Sequence, residues 1–244
     1  MNSLADVSRS YYLKFNLPLQ ILFLILLPFI GINIFYFLIF YILIYWAGIQ
    51  AGFHKLFSHK SWEPKNNAIR YALAVIGCFG LMGGPITWSR IHRYHHAHSD
   101  TTLDPHSPSK GFYVSYFGWL LKPMDVPVFV IRDYLKDTQL IKIEKLCKHF
   151  VLASLVLVFL ISPSIGMSLL AAMILTFHSE MLINSLLHKK VDGEYTAINI
   201  TWLAFLSGGS TLHKNHHINP GNANLKNKWT EVDPSYQIIK LLKK

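Results

Sequence analysis

Residues 17–52 read LPLQILFLILLPFIGINIFYFLIFYILIYWAGIQAG and contain no charged side chain. A single helix crosses the hydrocarbon of a bilayer with roughly 20 apolar residues, and this run is nearly twice that long. It predicts a helical hairpin, with Pro28 and Gly31-Ile32-Asn33 as the turn and spans at about residues 15–31 and 34–53. The same pattern returns later. FVLASLVLVFLI ends at Ile161, Ser162-Pro163-Ser164 punctuates it, and IGMSLLAAMILTFHSEMLINSLL follows from Ile165, which predicts spans at about 148–162 and 165–187.

The charge distribution orients these hairpins. Lys and Arg outnumber Asp and Glu by 23 to 13 in a chain that is 52% apolar and 15% charged. Both hairpin turns are short and uncharged, whereas residues 55–148 and the C-terminal tail hold most of the cations. Positive loops stay cytoplasmic, so both termini and the long central segment are expected there. Topology thus accounts for the net charge of +10, and no nucleic-acid motif accompanies it. The first apolar block is too long for a cleavable signal peptide. Cys78 and Cys147 are the only cysteines, too few for a disulfide framework or a Cys-based zinc site, and read as core thiols. Two further apolar stretches, about 68–88 and 197–209, complicate the count of spans. With no repeat or linker, residues 1–244 form one domain.

Histidine is the feature that composition does not explain. Nine of the thirteen are clustered: His54 and His59 in HKLFSH, His92, His95 and His96 in HRYHH, His188 in NSLLH, and His213, His216 and His217 in HKNHH. Positions i, i+3 and i+4 share one face of a helix, so each H-x-x-H-H triplet is expected to point one way and converge on metal. His54 and His59, five apart, lie well off a common α-helical face, which suits a loosened helix end or two ligands for different metals. Asn184 lies one turn before His188 and could hold a ligand or a bound water. Neutral imidazole suits zinc, copper, iron and nickel. Nine ligands are too many for one ion and fit two metals with open positions. His98 and His149 stand outside the clusters.

In this order, with hairpins between the boxes, the histidines resemble the integral-membrane fatty acid desaturases, in particular the stearoyl-CoA or delta-9 branch. AGFHKLFSHKSW is similar to that branch's first box, and WSRIHRYHHAHSDTTLDPHSPSKGFYVSYFGWLL (88–121) to its second. NSLLH, HKNHH, NPGNA and WTEVDPS continue the likeness to about Tyr236. The resemblance implies an all-α integral membrane protein, with four transmembrane helices in two hairpins under a cytoplasmic helical cap that holds a diiron site. It implies iron ligation by His54, His59, His92, His95, His96, His188, His213, His216 and His217, with Asn184 acting through water. It also implies that 68–88 lies along the membrane, since a fifth span would separate His54 from His92.

The activity so implied is oxygen-dependent insertion of a cis double bond into an acyl chain carried on CoA or membrane lipid. Two Fe, O2 and an external ferredoxin- or cytochrome-type electron donor would serve it. Arg90 matches a position that contacts the CoA moiety, with Lys122 assisting. Asp100, Asp104, His106 and Glu231 are expected around the metal ligands. Two departures concern the substrate: GGSTLHKNHH replaces a G-E-G-aromatic pattern, and Lys122-Pro123 stands where animal enzymes carry adjacent basic residues. Glu180 and His178, inside a predicted span, are read as pairing with each other or facing the cap. A bacterial inner membrane is favoured over endoplasmic reticulum. The alternatives are a related diiron hydroxylase, whose first box is typically H-x3-H, and a metal transporter, which would place its ligands at mid-span.

Overall fold

The computed structural model describes residues 4–122 and 125–244; Pro123 of the Lys122-Pro123 pair lies outside them. Helix α1 runs as Leu4–Tyr11, a π-helical stretch Tyr12–Asn16 and Leu17–Leu26, ending just before the Pro28 turn. Helix α2, Ile34–Ser58, starts where the Asn33 side chain accepts the N–H groups of Phe35 and Tyr36, satisfying two of the free donors of a helix start. The turn is also tied to the second hairpin, because Ser168 Oγ accepts from the Asn33 N–H and donates to its carbonyl. Helix α3 is Asn67–Cys78, α4 Pro85–His98 and α5 Phe112–Tyr116. Helices α6, Thr138–Ile161, and α7, Pro163–Leu186, form the second hairpin. Short helices α8, His213–Ile218, and α9, Pro234–Leu242, close the chain.

Among the described residues two helices, Ile34–Ser58 and Pro163–Leu186, are long and apolar enough to cross a membrane. Helix α6 begins ten residues before the expected span because Asp137 accepts the Leu140 N–H and starts the helix there. Its first turns are therefore charged. Helix α3 has 12 residues, about 18 Å at 1.5 Å per residue, too short to cross roughly 30 Å of hydrocarbon. It lies instead against α2. Gly48 permits this approach, since a Cβ there would meet the Gly77 nitrogen at 2.8 Å.

The expectation of an all-α chain needs correction. Strands β1, His188–Val191, and β2, Glu194–Ala197, form an antiparallel hairpin. Asp192 and Gly193 turn it, both at positive φ (52° and 93°), the backbone that Asp-Gly favours between paired strands. His188 is therefore a strand residue, and α7 ends before it at Leu186, so Asn184 and His188 do not share a helix face. Residues 197–209 are not a helix either. They form a short 3₁₀ turn, Thr201–Leu203, and further turns that leave Trp202, Phe205 and Leu206 exposed.

The C-terminal segment is pinned to α2 by a buried ion pair. Lys55 Nζ lies 2.7 Å from Asp233 Oδ2 and also donates to Ser235 Oγ at 2.8 Å. Asp233 additionally accepts the N–H groups of Leu225 and Tyr236. One carboxylate thereby fixes the path of the irregular segment before α9 and caps α9, next to the first histidine box.

Candidate metal centre

Histidine side chains from α2, α4, β1 and α8 converge into two groups. His54, His59, His92, His96 and His216 form one, and His95, His188, His213 and His217 form the other, with ligand atoms within 4.8 Å of one another in each. All nine clustered histidines are thus used. The triplets, however, do not each point one way. His92 and His96, one turn apart, enter the five-histidine group, while His95 turns into the four-histidine group. On α8 the pattern inverts, with His213 and His217 in the second group and His216 in the first. Residues i and i+4 stay nearly aligned on an α-helix, and the residue between them is rotated far enough to face a neighbouring centre.

The pair five apart meets because α2 does not end as an α-helix. From Ile42 to Ser58 it is π-helical, with i→i+5 bonding, and the His59 N–H donates to the His54 carbonyl at 3.2 Å. Residues five apart are then stacked along one side, which serves one group. Arg93 secures that helix end: its Nη2 and Nε donate to the carbonyls of Phe57 and Ser58 at 2.7 and 2.8 Å. Asp133 holds the same guanidinium, with 2.8 Å between Oδ1 and Nη1.

The spacing of ring nitrogens tests whether these groups suit an ion. His216 Nε2 lies 2.9 Å from both His54 Nε2 and His96 Nε2, and His59 Nε2 lies 2.9 Å from His92 Nε2. In the other group, His213 Nε2 lies 2.9 Å from His188 Nε2 and 3.0 Å from His217 Nε2. An imidazole carries one N–H and one lone pair when neutral, so such convergence cannot be satisfied by hydrogen bonds among the rings alone. Two nitrogens bound at about 2.0–2.1 Å from one ion and at right angles to each other are about 2.9–3.0 Å apart. A tetrahedral angle would open that to about 3.4 Å. The groups therefore fit ions with near-right-angle coordination.

The electrostatics agree. Burial, followed by the neighbouring rings, pushes His92, His96, His213 and His216 well below the usual histidine range, and burial with Arg93 takes His59 down to about 3. They are neutral at pH 7, the form that binds metal. Outer groups then choose the binding nitrogen. Asp100 Oδ2 lies 3.0 Å from His188 Nδ1, and Asp104 Oδ2 lies 3.0 Å from His95 Nδ1, the carboxylate support that ligating histidines commonly receive. Burial opposes the charge of Asp104, yet the His106 and His95 rings and the Asp100 N–H hold its carboxyl below the usual range. His106 is buried, with Nδ1 3.7 Å from Asp104; it stands outside the five- and four-histidine groups and meets His95 and Asp104 beside them. His98 also stands outside both groups, its ring tilted against that of Tyr94 with the centroids 4.4 Å apart. Glu231 makes a different set of bonds: it accepts from Asn215 Nδ2 and from the Asn227 and Lys228 N–H groups, bracing α8 from outside.

A cavity of about 710 Å³ adjoins the histidines. His92, His95 and His213 border it with Asn184, and Phe177, Met181 and Leu120 supply apolar wall. Exposed Lys14, Lys145 and Lys148 also border it, so it reaches the surface beside cations. The basic residues expected from the sequence lie elsewhere: Arg90 donates to the Val126 carbonyl, and Lys122 is exposed outside the lining. His178 and Glu180 do not pair. His178 joins Tyr116 and Gln20, and Glu180 accepts from Gln50. Gln50, Asp233 and Arg93 are supporting residues that the sequence reading passed over; a polar Gln50 within an uncharged apolar run was the available signal.

Residues 32–225 match the family model described as fatty acid desaturase. The chain is 34% identical over 219 residues to the sn-1 stearoyl-lipid 9-desaturase of Anabaena variabilis, covering 82% of this chain and 78% of that one. It is 34% identical over 211 residues to the sn-2 palmitoyl-lipid 9-desaturase of Nostoc sp. (strain 36), covering 80% and 73%. With the Acyl-CoA C20 Delta5-desaturase of Anemone leveillei it shares 31% over 207 residues, covering 80% and 66%. The chain belongs to the fatty acid desaturase family, and is an oxidoreductase of acyl chains.

Proposed function

We propose that the chain introduces a cis double bond at the 9 position of a saturated acyl chain, borne on a membrane lipid or on CoA. The observation that carries this is the pair of histidine groups, spaced for metal, at one end of a largely apolar cavity. The names of the relatives support the 9 position on a lipid-borne chain, and the Anemone relative's name supports CoA as the other carrier. In the overall reaction –CH2–CH2– becomes –CH=CH– and O2 becomes two waters, with two electrons and two protons supplied from outside. An external ferredoxin- or cytochrome-type protein would deliver the electrons. Two irons, held by His54, His59, His92, His96 and His216 and by His95, His188, His213 and His217, would supply activation of O2 and hydrogen abstraction.

The remaining work falls to the chain's own residues. Asp100 and Asp104 orient His188 and His95, and Asn184, at the cavity wall, holds a water beside the second group. Every methylene of an acyl chain is chemically alike, and each contributes about 0.8 kcal/mol on burial, so affinity is easily obtained and placement must come from shape. Phe177, Met181 and Leu120 shape the channel. Lys14, Lys145 and Lys148 anchor an anionic headgroup at the opening, in place of Arg90 and Lys122. Four spans in two hairpins, built on α1, α2, α6 and α7, with a cytoplasmic cap, agree with the positive central segment. A bacterial inner membrane fits this reading.

Expression in a desaturase-deficient host, with double-bond positions mapped, tests the proposal beside a His95→Ala control. The expected result is new 9-unsaturated acids that the control lacks. Hydroxy acids without unsaturated ones would overturn it.

A further inference from the structure

Gln50 and Glu180 stand outside both histidine groups, yet they connect one of them to the second hairpin. They are 1% and 8% exposed, and both border the cavity. Gln50 Nε2 donates to Glu180 Oε1 at 2.6 Å, and Gln50 Oε1 lies 3.0 Å from His54 Nδ1. A carboxylate buried between apolar helices and met by an amide instead of a cation is costly. Such a group is kept for what it imposes on its neighbours.

What it imposes follows from the amide. Gln has one acceptor oxygen and one NH2 at its tip. With Glu180 accepting on one side, the NH2 must face it and the oxygen must face His54. An oxygen cannot donate, so His54 Nδ1 carries the ring proton. Its Nε2 then presents a lone pair to the five-histidine group, where it lies 2.9 Å from His216 Nε2. Without the carboxylate the amide turns over at little cost, its NH2 faces Nδ1, and the proton moves to Nε2, the nitrogen that must be free for a metal. This is the outer-group control of a ligating histidine, extended by one residue.

We propose that Glu180 is a positioning residue that acts through Gln50 to fix the metal-binding tautomer of His54, and so governs metal occupancy of the five-histidine group. The inference rests on the two-metal reading above. It assigns to α7, which contributes no histidine to either group, control of a ligand on α2.

The test is anaerobic Fe(II) titration of the full chain in detergent, with iron per chain and the Mössbauer signals of the two sites as readouts. The wild type, Glu180→Leu, Glu180→Gln, Gln50→Leu and the Gln50→Leu/Glu180→Leu double variant are compared. Glu180→Leu is expected to weaken one of the two irons about 10- to 100-fold, while the other stays bound and reports an intact fold. Glu180→Gln, whose carbonyl still accepts from Gln50, restores binding. In the Gln50→Leu background the Glu180→Leu change adds nothing further. Wild-type affinity at both sites of Glu180→Leu, or an equal loss with and without Gln50, overturns the inference and leaves the two-metal reading standing. A wild type that binds no iron overturns both.

Discussion

Removing Asp233 is the sharpest perturbation of the frame around the histidines. Its carboxylate faces Lys55 Nζ at 2.7 Å, and the two side chains are 1% and 2% exposed. At that distance and an effective dielectric near 20 the attraction is roughly 6 kcal/mol, most of it offset by the cost of desolvating both ions. The substitution Asp233→Ala removes the attraction and leaves the cost on Lys55, which for a broken buried pair is about 3–5 kcal/mol. It also frees the N–H groups of Leu225 and Tyr236 that the carboxylate accepts. For a chain of this size each kcal/mol shifts the midpoint roughly 2–4 °C, so Asp233→Ala should melt roughly 6–20 °C below the wild type. Lys55→Met in the same background removes the orphaned charge and should recover a large part of that loss. Tryptophan fluorescence during a thermal scan reads both, and bound metal is measured in parallel, since Lys55 follows His54. A single variant that melts with the wild type, or a double variant no better than the single, would refute the reasoning.

His216→Ala should lose desaturation and lower metal per chain, because that ring meets both His54 and His96, while His98→Ala should keep both properties near wild type; metal analysis and product profiles separate them. Asp100→Leu should weaken metal binding about 10- to 100-fold through His188, read by chelator competition. Gly48→Ala drives a methyl to 2.8 Å from the Gly77 nitrogen and should cost roughly 1–3 kcal/mol. Gly31→Ala, with nothing within 4 Å, should melt at the wild-type temperature.

The long apolar helices were legible because apolar length is a one-dimensional signal, and the residues that break it, Pro28 and Ser162-Pro163, lie where the chain turns. Where helices begin was less legible. Asp137 starts α6 through a cap on a charged segment that hydropathy discounts. The Asp192-Gly193 turn was present in the sequence but was overshadowed by His188, which reads as the end of a helix. Nine clustered histidines identified the centre, yet their division between two groups was not legible from spacing on an ideal helix, since it depends on how α4 and α8 face each other. The meeting of His54 with His59 required a π-helical end that no spacing rule for α-helices contains. Gln50 and Glu180 are 130 residues apart, and only packing joins them.

Because α4 and α8 each give ligands to both histidine groups, neither helix can move without altering both. A shift of one helix along its axis changes the nitrogen spacing in both at once. The pair of groups is therefore a single mechanical unit. A mutation that misplaces either helix should empty both sites together, whereas one that only turns a single ring should empty one and leave the other filled.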